Sequence, residues 1–125
     1  MTPHDLPESF RRIDLTLARE PGHPVGDTSH GFTLVAPLDA EGALDADAWR
    51  EHRAACRVVR RHDNEVDAVG QLEHGPGGLW SFRYGDAGED KAHHLELEHF
   101  TVGEYVSVRE PDGVHTFRVD RVAAL

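Results

Sequence analysis

The 125-residue chain has one cysteine, Cys56, so it cannot form an internal disulfide, and nothing in it calls for an oxidising compartment. It also lacks any apolar run near the roughly 18 residues that a membrane-spanning helix requires. The opening stretch MTPHDLPESF holds two prolines and two acids where a secretory signal would be basic and then apolar. These absences lead us to expect a cytoplasmic protein. Lysine is almost missing: Lys91 is the only one among thirteen basic residues. With abundant Ala, Gly and Val, that bias reads as the codon usage of a GC-rich genome, so the arginine count alone says nothing about function. Positive charge is scarce overall, thirteen basic against twenty-three acidic residues, for a formal charge of −10. So acidic a surface repels phosphate backbones and anionic bilayers, and neither nucleic acid nor membrane is expected as a partner.

A hydrophobic content of 38% with 29% charged residues fits one soluble domain. It is long enough to bury a core without disulfide or metal staples. Residues 1–9 read as a mobile tail and 10–125 as a single β-rich domain. FRRIDLTLARE alternates, with Ile13, Leu15 and Leu17 on one face and Arg12, Asp14 and Thr16 on the other, the period of a half-buried strand. PGHPVGDTSH, residues 21–30, reads as a loop. GFTLVAPL is a second strand with Phe32, Leu34 and Ala36 sharing a face. Asp45 is a good N-cap for a helix running to about Cys56, with Trp49, His52 or Arg53, and Cys56 as its inner stripe.

Beyond RVVRR the pattern is strands and turns. VGQLEH-GPGG-LWSFRY is a hairpin whose five-residue loop, Gly75 to Leu79, sets His74 opposite Trp80 and Leu72 opposite Phe82. GDAGED is a loop and HHLELEHF a strand. EYVSVREPDGVHTFRV is the clearest hairpin: Pro-Asp-Gly suits a type I turn with a glycine bulge. Its register pairs Arg109 with Val114, Val108 with His115 and Val106 with Phe117. The expected fold is mainly β with one helix, an α+β chain. It forms a small antiparallel β-barrel or strongly bent sheet of about seven or eight strands, with the helix between the second and third.

Ten histidines invite a metal reading, since zinc needs three or four convergent ligands. In AHHLELEHF a strand places His93 and His99 on the apolar face with Leu95 and Leu97, and His94, Glu96 and Glu98 on the wet face. His93 and His99 then lie on the order of 20 Å apart and cannot share a metal. In a simple meander His93 falls beside His115 at one rim, and His99 beside His74 at the other. Two histidines make no structural zinc site, and a third ligand would have to come from elsewhere, such as His30 or His62. The plain alternative is rim histidines that cap the core.

Other motifs resolve to structure. PLDAEGALDADA has the look of a calcium loop, but Pro37 and Ala48 stand where its first and last carboxylates belong. Cys56, at a helix C-terminus, reads as a small buried residue. WREHRAACRVVRRH is a basic island in which Arg50, Arg53 and Arg57 recur at helical spacing and can grip a carboxylate or phosphate. There is no phosphate loop, serine elbow or dinucleotide fingerprint.

The stretches HGFTLVAPLDAEGALDADAWREHRAACRVVR, GPGGLWSFRY and GEYVSVREPDGVHTFRV together resemble a group of small uncharacterised alphaproteobacterial proteins, over roughly residues 12 to 122. The likeness implies a bacterial, cytoplasmic setting and no activity. The expected function is a non-catalytic binding or accessory module, holding a small anionic ligand or an acidic protein segment at a barrel mouth or at Arg50, Arg53 and Arg57. It needs no cofactor. The competing reading is a metal protein or metal-dependent enzyme using zinc at His93, His115, His74 and His99. A third possibility is pH sensing, because protonating all ten histidines takes the formal charge from −10 to zero, mostly near pH 6.5 for unperturbed imidazoles.

Overall fold

A computed structural model describes residues 7–19, 26–74, 80–84, 89–93, 99–110 and 113–125. The strands are β1 (Phe10–Leu17), β2 (Asp27–Pro37), β3 (Arg57–His62), β4 (Glu65–His74), β5 (Trp80–Arg83), β6 (Glu89–His93), β7 (Tyr105–Glu110) and β8 (Gly113–Ala124). The one α-helix, α1 (Ala46–Glu51), lies between β2 and β3. Every strand pairs antiparallel with its neighbour in sequence, and β8 returns to pair with β1, closing the curled sheet into a barrel. Closure removes the exposed edges of an open sheet.

Alternation along each strand sends one set of side chains inward. Ile13, Leu15, Phe32, Leu34, Val58, Phe82, Val106, Val108, Phe117 and Val119 are all fully buried, so side chains fill the interior. Phe32 lies 5.1 Å from Phe82 and 5.0 Å from Phe117 between ring centroids, both in tilted or edge-on geometry that suits aromatic quadrupoles. Sharp curvature needs backbones to approach closely. At Gly31 a Cβ would meet the Leu15 carbonyl oxygen at 1.9 Å, and at Gly70 the Arg83 carbonyl oxygen at 1.9 Å, so only glycine fits these bends. Register shifts at Asp14/Leu15 and Thr16/Leu17 add local twist to β1. Outside the barrel, Arg61 donates to Thr33 Oγ1, and Thr33 donates to Asp14 Oδ1 at 2.7 Å, linking β3, β2 and β1.

Several expectations meet the structure directly. His74 pairs with Trp80 and Leu72 with Phe82; Arg109 pairs with Val114, Val108 with His115 and Val106 with Phe117. The Gly75–Leu79 loop itself lies outside the described residues, as does the Pro-Asp of the last turn. Four boundaries differ. Residues 7–9 are not a loose tail, because Phe10 N–H donates to Pro7 O and Leu38 N–H to Ser9 O. β2 begins at Asp27, inside the stretch read as a loop. The sixth strand is Glu89–His93, which ends where the expected HHLELEHF strand begins; residues 94–98 lie outside the described residues. Finally, the helix stops at Glu51. The His52 amide is shared between the Ala48 and Trp49 carbonyls, tightening the chain into a 3-10 turn at Arg53–Ala55 before β3 starts at Arg57.

Candidate functional site

The two ends of the barrel differ in chemistry. At the helix end, Trp49 of α1 packs against Trp80 of β5. Asp45 caps α1 by accepting from the Asp47 and Ala48 amides at 3.1 and 3.2 Å. The cap aims the buried Trp49 into the barrel, where its indole N–H donates to Leu72 O at 2.8 Å. Trp49 meets Trp80 edge-on at 5.6 Å, and His74 stacks on Trp80 at 4.3 Å with an interplanar angle of 22°. Cys56 is buried below the turn, its thiol reaching His52 O at 3.4 Å. Burial pushes that thiol from 9.0 up to about 12, so it stays protonated at neutral pH and is a poor nucleophile.

The opposite end carries polar rings over an apolar layer. The starts of β2, β4, β6 and β8 meet the ends of β1, β3, β5 and β7 here. Three of its four connections run through residues outside the described set. On β2, His30 precedes the inward Phe32 by one inner-face step. Its ring lies 5.1 Å from that of His62 on β3, 6.4 Å from that of His115 on β8, and 5.6 Å from Phe117 below. Backbone pairing sets Arg60 opposite Phe32, which puts a guanidinium on the inner side of β3. Its Cζ sits 4.8 Å above the ring of Tyr84, a buried residue that follows β5. His62 Nδ1 is 3.8 Å from Asp63 Oδ2. So imidazoles from three strands, one guanidinium and one phenol gather above the Phe32, Phe82 and Phe117 layer.

The expected site residues are distributed differently. Arg50, Arg53 and Arg57 do not share a helical stripe, because the helix ends before two of them. Arg50 pairs with Asp47 at 3.1 Å, Arg53 lies over the Trp49 ring at 4.8 Å, and Arg57 is the first residue of β3, opposite Gln71. The expected alignment of His93 with His115 is off by one position. Ala92 pairs with Val108, the partner of His115, whereas His93 pairs with Ser107, the partner of Thr116. The side chain of His93 lies outside the described residues. His74 and His99 have separate engagements: His74 is in the tryptophan stack, and His99 is exposed with Nδ1 2.8 Å from Glu41 O. His115, by contrast, joins His30 and His62. Among the described residues no group of three or more His, Cys, Asp or Glu is placed to hold a metal ion.

Arg60 belongs to the basic island WREHRAACRVVRRH, but helical spacing singles out Arg50, Arg53 and Arg57 instead. The signal was the alternation of Val58, Val59 and Arg60 in RVVRRH, which needs a partner strand to say which parity faces inward. Comparison with family models, curated proteins and solved structures finds no match. No helix among the described residues is long and apolar enough to cross a membrane.

Proposed function

We propose that this chain is a non-catalytic binding module that holds a small ligand at the histidine end of its barrel. The observation that supports this is the convergence of His30, His62, His115 and Arg60 on one rim, above a filled aromatic interior. Among the described residues, buried side chains fill the interior, which favours recognition at a rim with convergent polar groups. The opposite rim is occupied by the chain's own Trp49, whose indole N–H donates to Leu72 O. The ligand is small and anionic, because imidazole and guanidinium N–H groups are donors suited to oxyanions.

A thermal-shift screen of small acids, bases and neutral fragments tests this, with Arg60→Gln and Arg53→Gln compared against the parent chain. Acids are expected to raise the melting temperature of the parent and of Arg53→Gln, and much less that of Arg60→Gln. Stabilisation lost in Arg53→Gln and kept in Arg60→Gln would move the site to the helix end. Stabilisation by no fragment would remove the reading.

A further inference from the structure

The outer wall of the barrel over β8, β1, β2 and β3 carries a charge pattern opposite to that of the whole chain. The residues that alternate there with the buried Ile13, Leu15, Val58, Phe117 and Val119 lie on the outside. Five of the residues on this wall are arginines: Arg12, Arg57, Arg61, Arg118 and Arg121. Backbone register gathers them. Arg118 pairs with Thr16, Thr16 with Gly31 and Gly31 with Arg61, so one row crosses four strands. In the next row Arg121 pairs with Asp14, Asp14 with Thr33, Thr33 with Val59, and Val59 with Val69 of β4. Arg12 stands two residues before Asp14 on β1, and Arg57 two before Val59 on β3.

Among the described side chains of these strands, two acids share the wall, Asp14 and Asp120. Both sit low and are engaged. Asp14 accepts from Thr33 at 2.7 Å and lies 3.7 Å from Arg12; its side chain is 18% exposed against 55% for Arg12. Asp120 accepts from Thr16 and, at 2.9 Å, from Arg118; it is 28% exposed against 52% for Arg118. Arg57 and Arg121 are exposed as well. An approaching partner therefore meets guanidinium groups before it meets carboxylates. In a chain of formal charge −10 this is a local reversal of sign. Guanidinium forks match carboxylates two bonds at a time.

We infer that this wall docks an acidic, partly apolar peptide segment of a partner protein, laid across β8, β1, β2 and β3. Charge complementarity calls for the acids. Spacing suits an extended segment: three strand pairings, roughly 14 Å, separate Arg118 from Arg61, and same-side residues of an extended chain recur about every 7 Å. Val59 and the exposed Val69 add apolar contact at one margin, which a phosphate backbone does not use. A nucleic acid would also meet the long-range repulsion of the acidic chain. The wall is distinct from the histidine end, because Arg60 turns to the inner side of β3 between Val59 and Arg61.

The test is fluorescence anisotropy of the full chain with a labelled short peptide of glutamate and leucine. Its glutamine counterpart and a single-stranded oligothymidylate serve as comparison probes. The acidic peptide is expected to bind more tightly than either, and to weaken as sodium chloride is raised. Arg57→Gln and Arg121→Gln, exposed changes checked by an unaltered melting temperature, are each expected to raise its dissociation constant about two- to fivefold. Arg50→Gln and Arg60→Gln, outside the wall, leave it unchanged. No binding of the acidic peptide, equal affinity for its glutamine counterpart, or tighter binding of the oligonucleotide overturns the inference. So does a loss in Arg60→Gln with none in Arg57→Gln or Arg121→Gln, which moves the segment to the histidine end. Sedimentation showing a dimer of the parent that Arg121→Gln abolishes would also overturn it, by making a second copy the occupant.

Discussion

Trp49 and Cys56 define the helix end one residue at a time. Trp49 contributes a buried ring and a single donor to Leu72 O. Trp49→Phe keeps most of the ring and deletes the donor, so it is expected to cost about 1–3 kcal/mol in urea unfolding, a buried acceptor losing its partner. Cys56 tests burial by chemistry. A thiol pushed from 9.0 to about 12 binds its proton more tightly in the folded chain than in the unfolded one. Its contribution is fully present below pH 9 and is lost as pH rises from 9 toward 12, by at most about 1.4 kcal/mol per pH unit. Urea melts across that window are expected to fall more steeply for the parent chain than for Cys56→Ala. Equal slopes would mean the thiol is not desolvated. At this scale the sequence was readable where a residue's role is local: Asp45 as an N-cap follows from the helix it precedes. Arg60 was not, because its face depends on Phe32, nearly thirty residues away.

At the scale of elements, glycines and hairpins set the curvature and register. Gly31→Ala and Gly70→Ala each push a methyl group into a carbonyl oxygen of the neighbouring strand. Each is expected to destabilise by about 1–3 kcal/mol, as overpacking does, measured by the denaturation midpoint. A neutral result at either would show that the strands are less sharply bent there. Both hairpins with strong turn signals were legible to the residue, since β4–β5 and β7–β8 pair as their apolar faces require. β6 was not. Glu89–His93, EDKAH, has no apolar alternation, and pairing with β5 and β7 fixes its place. HHLELEHF has the better local pattern, but β6 ends at His93, its first residue, and residues 94–98 lie outside the described residues. The helix was overextended for a similar reason: the arginine spacing continues past Glu51, but Cys56 and Val58 are drawn into the core, which turns the chain.

For the whole molecule, closure and charge matter most. β1 and β8 lie at opposite ends of the chain, and their pairing has no local signature, so a barrel and a bent sheet were equally compatible with the sequence. Closure brings His115 of β8 to His30 of β2 and so creates the three-ring rim, a neighbourhood that a simple meander does not indicate. A formal charge of −10 makes copies repel one another at neutral pH, and that repulsion fades toward the isoelectric point of about 5.3. Sedimentation velocity is expected to show self-association at about pH 5.8 that is absent at about pH 7.5. An unchanged state would remove the link between charge and association.

The central claim is that the histidine end of the barrel binds and the helix end does not. Backbone amide NMR mapping with benzoate and sulfate, at constant pH and ionic strength, tests it most directly. The account predicts shifts concentrated at residues 30–32, 60–62 and 115–117, with residues 49, 72–74 and 80 unmoved. Shifts concentrated around Trp49, Arg53 and His74, with the histidine end silent, would contradict it.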